Sequence, residues 1–311
     1  MILDIHSAGG SDPDNLTPCK DLLFFSATDG EHGTELWFTD GTTDQTKFVL
    51  DIYPGTESSE PEQLICLDDW LLFVANDGMH GKELWRTNGE VSEIVKDIHP
   101  GENGFDIGLN DDEPRFTPMK RIESTVYFVA TDIVHGLELW KSDGTPQGTA
   151  QVDDDPLGSY ISRITLLHEF DGRLYAVYNW KFLVQSDGTA EGTLKVPINY
   201  TNQDQIYGLH TVSDQLFVAG LFRLRRGTIF KTNGELMTRV LTLPVGRWHG
   251  AEISDMTAVG DLLYFKRTLL EYHSADDWAT AGSELWRSDG TSDGTVRVTE
   301  GVNEVFGEYE G

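Results

Sequence analysis

Glu35-Leu36-Trp37-Phe38-Thr39-Asp40-Gly41-Thr42 decides how the rest of this chain is read, because the chain repeats it. It returns as Glu83-Leu84-Trp85-Arg86-Thr87-Asn88-Gly89-Glu90, as Glu138-Leu139-Trp140-Lys141-Ser142-Asp143-Gly144-Thr145 and as Glu284-Leu285-Trp286-Arg287-Ser288-Asp289-Gly290-Thr291. Two worn copies, Phe182 to Thr189 and Thr228 to Glu235, lie between the third and the last of these. The anchor positions are Trp37, Trp85, Trp140, Val184, Phe230 and Trp286, at spacings of 48, 55, 44, 46 and 56 residues. A period near 50 residues divides the 311-residue chain into about six units rather than two ordinary domains.

Each unit predicts four short strands. In the second, Glu62 to Leu67 and Trp70 to Ala75 are two apolar stretches. A Gly-bearing turn at Asp77 to Gly81 leads to a third strand, Lys82 to Thr87, and Asn88-Gly89 turns it into a fourth, Val91 to Ile98. Asn-Gly and Asp-Gly between apolar runs are a strong hairpin signal, and they predict type I′ turns with φ > 0 at both central residues. Runs such as Leu22-Leu23-Phe24-Phe25 and Leu71-Leu72-Phe73-Val74 are apolar on both faces, as expected of strands in stacked sheets. The recurrent Trp suits a wedge between neighbouring sheets. Four strands per unit of this length predict an all-β fold, a six-bladed β-propeller of four-stranded antiparallel blades forming one domain over residues 1–311. A solenoid fits the period less well, because it needs caps to cover its end faces.

Composition sets the limits on function. The chain carries 52 Asp plus Glu against 23 Lys plus Arg, for a formal net charge of −29. Such a polyanion is not expected to bind nucleic acid or to insert into a membrane, since both kinds of partner attract basic surfaces. Hydrophobic residues at 39% and aromatics at 11% are too many for a disordered acidic tail. No apolar run approaches the ~20 residues of a membrane-spanning helix. The acidic residues are spread through every unit, which suits a saline or calcium-rich setting and weak binding of divalent cations at many points.

The repeated Glu-Leu-Trp-x-x-Asp-Gly-Thr is followed by Gly148-Thr149, Gly192-Thr193 and Gly294-Thr295. It is preceded by His32-Gly33, His80-Gly81 and His135-Gly136, and trailed by Asp-Ile-x-Pro-Gly at Asp51 to Gly55 and Asp97 to Gly101. In these features the chain resembles the ELWxxDGT repeat family over almost its whole length. The resemblance implies a β-propeller-like domain of large, mostly secreted or surface-attached proteins with no well-defined biochemical activity. Units 4 and 5 depart from the pattern, with Val184 and Phe230 in place of Trp and no motif Glu.

The repeated polar residues have structural explanations to set beside chemical ones. The Asp-Gly pairs offer carboxylates to calcium, but Asn88 and Asn233 replace Asp in two copies, which a turn tolerates and a charge-requiring site resists. His32, His80 and His135 each stand three residues before a motif Glu, a metal-ligand spacing, yet belong to separate units and are expected in turns or blade contacts. Glu35, Glu83, Glu138 and Glu284, beside Trp37, Trp85, Trp140 and Trp286, are expected to accept hydrogen bonds from neighbouring backbone or hydroxyl groups. These eight are the structural residues of the repeat.

Two insertions break the spacing and are the expected places for function. Glu102 to Phe116 contains Asp106, Asn110, Asp111, Asp112 and Glu113, the oxygen-rich composition of a calcium loop without EF-hand spacing. Leu269 to Ala281 contains Tyr272, His273, Asp276, Asp277 and Trp278, mixing aromatic and carboxylate groups as sugar-binding loops do. Solvated loops are the alternative for both. Asp153-Asp154-Asp155 reads as an exposed acidic turn, and Arg223, Arg225 and Arg226 form the one basic cluster, suited to an acidic partner or to neighbouring carboxylates. No nucleophile elbow, P-loop, dinucleotide fingerprint or CxxC pair is present. Aligning the first two units puts Cys19 and Cys66 one residue out of register on opposite strand faces, so a disulfide between them is possible but not favoured.

Ile2 to His6 matches Val49 to Tyr53 and Val95 to His99, which read as fourth strands, so Met1 to His6 is expected to join or replace part of blade 6 or to belong to a longer array. Met1 is followed at once by this pattern with no basic n-region or long apolar core, which in a secreted protein implies a mature or truncated chain. The expected function is a non-enzymatic extracellular or cell-surface module for structure or adhesion, binding a protein or glycan at a surface, alone or within a larger assembly. The alternatives are a calcium-dependent lectin-like module, a propeller hydrolase or lyase with carboxylates at the channel mouth, and, for location, a cytoplasmic propeller. No cofactor is expected with certainty, Ca2+ being the candidate.

Overall fold

The computed structural model describes residues 3–102, 104–105, 119–153, 164–197, 205–222, 226–234, 237–242, 250–274 and 277–299. Blade 1 is β1 (Asp14–Cys19), β2 (Leu22–Thr28), β3 (Thr34–Thr39) and β4 (Lys47–Phe48). Blade 2 is β5 (Glu62–Leu67), β6 (Trp70–Asn76), β7 (Lys82–Thr87) and β8 (Ser92–Lys96). Blade 3 is β9 (Lys120–Ile122), β10 (Thr125–Asp132), β11 (Gly136–Ser142) and β12 (Ala150–Asp153). Blade 4 is β13 (Ile164–Phe170), β14 (Arg173–Tyr178), β15 (Phe182–Ser186) and β16 (Leu194–Lys195). Blade 5 is β17 (Gln205–Val212), β18 (Gln215–Phe222), β19 (Arg226–Thr232) and β20 (Thr238–Thr242). Blade 6 is β21 (Gly250–Val259), β22 (Leu262–Ser274), β23 (Asp277–Ser288) and β24 (Val296–Arg297). Every blade is a meander in which each strand pairs with the next, and one parallel pair, Arg226 with Ala251, joins blades 5 and 6 into a continuous sheet. Six four-stranded antiparallel blades in this order make an all-β, six-bladed β-propeller.

The chain packs as two compact units, Met1–Gly172 with Ser186–Thr193 and Arg173–Gln185 with Leu194–Gly311. Within the first unit the blades stack front to back. On β2 and β3 the pleat puts Phe25 opposite Trp37 on one face and Phe24 opposite Phe38 on the other. Phe24, Leu36 and Phe38 pack against Leu71, Phe73, Ala75 and Trp85 of blade 2. Leu72, Val74 and Leu84, on the other face of blade 2, pack against Val126, Phe128, Ala130 and Trp140 of blade 3. The second unit repeats the arrangement, with Phe217, Ala219 and Ile229 of blade 5 against Leu263, Phe265 and Trp286 of blade 6. Each of these Trp side chains therefore closes the gap to the preceding blade.

The residue after the Trp reaches the other way. Arg86 Nη1 donates to Gly144 O of blade 3 at 2.7 Å, and Lys141 Nζ donates to Gly188 O at 2.6 Å. A charged stem running along an apolar face and ending on a carbonyl of the next turn both covers the core and fixes the stacking.

Three local expectations are corrected. The six Asp-Gly and Asn-Gly turns are not type I′, because only the Gly of each pair has positive φ, from 84° to 98°. The reason is the side chain: the Asp or Asn oxygen accepts backbone N–H groups two or three residues ahead, which fixes that residue at negative φ. The Asp-Ile segments are not fourth strands, since β4 ends at Phe48 and β8 at Lys96. They are connections whose Ile enters the Trp face of the following blade: Ile52 lies with Trp85, Ile98 with Trp140, and Ile5 with Trp37.

The third correction is a disulfide, Cys19–Cys66, with the Cα atoms 5.2 Å apart. Equivalent side chains of stacked blades point the same way, so neighbours meet front face to back face. A bridge between them needs residues on opposite faces, and that is what Cys19 and Cys66 supply. Opposite faces count against a disulfide only when the two strands share a sheet.

Candidate functional site

The motif carboxylates are buried, and each that can be described has a local structural task. Glu35 Oε2 accepts Ile52 N at 3.2 Å and Ser59 Oγ at 2.6 Å, while Oε1 accepts Tyr53 N at 3.3 Å and Ser59 N at 3.2 Å. Glu83 repeats the grip on the next connection, accepting Ile98 N at 2.8 Å and His99 N at 3.0 Å. Burial pushes both carboxyls up to about 7, with Asp97 adding to the effect at Glu83. Glu138 is buried at the same place in blade 3.

Glu284 differs, because blade 6 carries Arg267 where blades 1 to 3 have Ala27, Ala75 and Ala130. Its oxygens accept Arg267 Nη1 at 3.0 Å, Arg297 Nη1 at 3.0 Å and Trp286 Nε1 at 2.8 Å. Burial works against its charge, but the Trp286 hydrogen bond and the two guanidinium groups outweigh it and hold this carboxyl below the usual range.

The Asp-Gly-Thr turns are closed on themselves. Asp143 Oδ1 accepts Thr145 N at 2.9 Å and Thr145 Oγ1 at 2.7 Å, and Asp40, Asp187 and Asp289 do the same with Thr42, Thr189 and Thr291. Thr149 Oγ1 donates to Thr145 O at 2.7 Å and lies 2.7 Å from Ser142 Oγ, which explains the second Gly-Thr of the repeat. A Cβ on Gly148 would overlap the Asp143 carboxylate.

The three histidines are held in turns by an aspartate of their own blade. His32, His80 and His135 place Nδ1 at 2.7, 2.7 and 2.8 Å from Asp29, Asp77 and Asp132. Burial opposes the charge of Asp29, but the His32 hydrogen bond and two backbone N–H groups outweigh it and bring the carboxyl down to about 2. The same hydrogen bonds raise His32 and His80. Among the described residues, no group of three or more His, Cys, Asp or Glu is placed to hold a metal ion.

A cleft of about 260 Å³ opens between blades 1 and 2, where β1 and β5 begin and β3 starts. Both first strands are bulged there, between Asp14 and Thr17 and between Glu62 and Ile65. Repeat-equivalent residues take left-handed φ in the bulges, Asn15 at 57° and Gln63 at 54°, and two residues before each strand, Asp12 at 44° and Glu60 at 49°. The same bulge recurs in the first strand of blade 6, between Ser254 and Thr257 with Asp255 at 52°, so it belongs to the repeat, and at this junction it shapes the cleft between two such strands. Asn15 Nδ2 spans the junction, donating to Ser26 Oγ at 3.3 Å and to Pro61 O at 3.2 Å. Ser58 Oγ accepts Thr34 N at 2.9 Å from the far side. Glu60 and Glu62 form the remaining wall, and Lys82 Nζ ties them together at 3.3 and 3.0 Å.

Of the residues singled out from sequence, Asp106, Asn110, Asp111, Asp112 and Glu113 lie outside the described residues, as do Asp276, Asp154, Asp155, Arg223 and Arg225. The insertion holding Tyr272, His273, Asp277 and Trp278 is not a loop but an extension of the β22–β23 hairpin. Its backbone register sets Tyr272 opposite Trp278 and Ser274 opposite Asp277. The sequence pattern does not point to the cleft. Its signal there is slight: Asn15 is a residue type that tolerates left-handed φ, and the bulge that uses this property is visible only in the strand pairing.

No family model and no curated protein matches the chain. Among solved structures it is similar to a prolyl endopeptidase, at 14% identity and a TM-score of 0.52, over 94% of this chain and 43% of that one. It is also similar to a puromycin-hydrolyzing peptidase of Mycobacterium tuberculosis, at 11% identity and a TM-score of 0.50, over 96% and 45%. The chain thus spans less than half the length of these two peptidases. BamB of Moraxella catarrhalis matches at 15% identity and a TM-score of 0.42, over 93% and 81%. Likeness at such identities extends to the fold and no further.

Proposed function

We propose that this propeller is a non-enzymatic interaction module of the ELWxxDGT repeat kind, working outside the cell or at its surface and binding a protein or glycan there. One observation carries the reading. Of the side chains that the repeat copies, Glu35 and Glu83 hold the connection leading to the next blade, and the His-Asp and Asp-Gly-Thr groups hold turns of their own blades. A buried Glu that grips the next connection has a structural reason to recur, and needs no catalytic one. The Cys19–Cys66 bridge supports the location, because such staples persist in oxidising compartments.

The test is direct. Protein exported to a bacterial periplasm should carry no free thiol. It should also bind saturably to cell-envelope or extracellular-matrix preparations, with binding lost on unfolding. It should release no product from p-nitrophenyl acetate, casein or p-nitrophenyl glycosides. Turnover of any of these that tracks the purified protein overturns the proposal.

A second reading, a calcium-dependent lectin, is favoured by the hairpin register that sets Tyr272 opposite Trp278. It expects glycan binding by calorimetry that needs Ca2+ and disappears in Trp278→Ala.

A further inference from the structure

We infer that the cleft between blades 1 and 2 binds one neutral, hydroxyl-rich ring, the size of a single sugar residue. The inference deepens the interaction-module reading and rests on it in one respect: the ligand is held, not turned over.

Volume comes first. The cleft is open to solvent and, at about 260 Å³, has room for one pyranose ring.

The chemistry of the walls excludes ions of both signs. Glu60 and Glu62 repel an anion, and the Lys82 ammonium on both carboxylates opposes a metal cation. A neutral ligand with alternating donors and acceptors is what remains. The Thr34 and Ser58 hydroxyls offer both roles, Asn15, whose two amide N–H groups go to Ser26 and Pro61, keeps its carbonyl oxygen as an acceptor, and the carboxylates accept sugar hydroxyls.

Preorganisation is the third element. Asn15 is held at both ends of the junction by Ser26 and Pro61, and Ser58 is fixed by Thr34 N, so these polar groups need little ordering when a ligand arrives. Asn15, in the β1 bulge, and Glu60, two residues before β5, both line the opening. The Cys19–Cys66 bridge ties β1 to β5 at the ends of these strands away from the cleft.

The experiment is saturation-transfer NMR and calorimetry on the full chain, with D-glucose, D-galactose, D-mannose and N-acetylglucosamine as probes. At least one should bind saturably to a single class of site. Thr34→Val and Glu60→Gln should each weaken that sugar at least fivefold with the melting temperature unchanged, and Trp278→Ala should leave it untouched. Absence of saturable binding by all four sugars overturns the inference. So does binding that ignores the two cleft variants, or that is lost in Trp278→Ala alone. None of these failures touches the extracellular-module reading, which stands or falls on the thiol, surface-binding and turnover assays.

Discussion

Reducing the Cys19–Cys66 disulfide should lower the stability of the protein by about 4 kcal/mol. The bridge closes a loop of 47 residues. In the chain-entropy model such a crosslink removes roughly 14 cal/mol/K from the unfolded ensemble, which is about 4 kcal/mol at 25 °C. Unfolding entropies near 2.1 cal/mol/K per residue convert this to a fall in melting temperature of about 6 °C if the whole chain unfolds together, and about 10 °C if the first compact unit melts alone. Cys19 is 4% exposed and packs with Phe24, Leu36 and Phe38, so Cys→Ser would add the cost of a buried hydroxyl. The clean comparison is wild type with and without a phosphine reductant, alongside the double variant Cys19→Ala/Cys66→Ala. Thiol titration in denaturant should give no free thiol before reduction and two after. Two free thiols in the unreduced protein, or identical melts once reduction is verified, would falsify both the bridge and the front-to-back stacking that explains it.

Stability should rise as pH falls from 8 to 5. Glu35 and Glu83 have folded values of about 7 against an ordinary 4.5, so the folded state binds more protons between those limits. Their unfavourable contribution, roughly 3 kcal/mol each at pH 8, disappears as they protonate on folding in acid. The raised His32 and His80 act in the same sense, while the depressed Asp29 withdraws stability only below about pH 4. Glu83→Gln should raise the melting temperature at pH 8 and flatten the profile; a profile that slopes the other way rejects the burial argument. Gly148→Ala forces the Asp143 carboxylate off Thr145 and should cost about 1–3 kcal/mol in chemical denaturation. Trp85→Ala empties the gap between blades 1 and 2 and should cost about 3–5 kcal/mol, read as a shift in urea midpoint.

The fold was legible because one octapeptide carries both levels of information. Its Leu-Trp alternation names two faces of a strand, and its recurrence every 50 residues or so names the stacking of one strand's sheet on the next. For blade 2 the strand limits expected from sequence nearly coincide with β5, β6 and β7, since a period-2 pattern bounded by Gly turns leaves little freedom. The fourth strand is shorter than the sequence predicts because Val-x-Asp-Ile continues an apolar alternation into what is a connection. There the Ile is buried for a different reason, as a plug in the next blade. A pattern of burial does not say which neighbour does the burying.

Sequence alone determined the number of units, their four-strand content and the role of the Trp as spacer, all of which follow from local alternation and periodicity. Tertiary structure decided what depends on neighbours distant in the chain. Cys19 and Cys66 became partners because blades meet front to back. Glu35 and Glu83 were raised, and Glu284 lowered, by what each was buried beside. Asn15, Thr34, Glu60 and Glu62, unremarkable and scattered in sequence, became one polar cleft when two bulged strands were set side by side. Periodicity reports the faces a strand must bury, and only the assembled fold reports what stands across from each face.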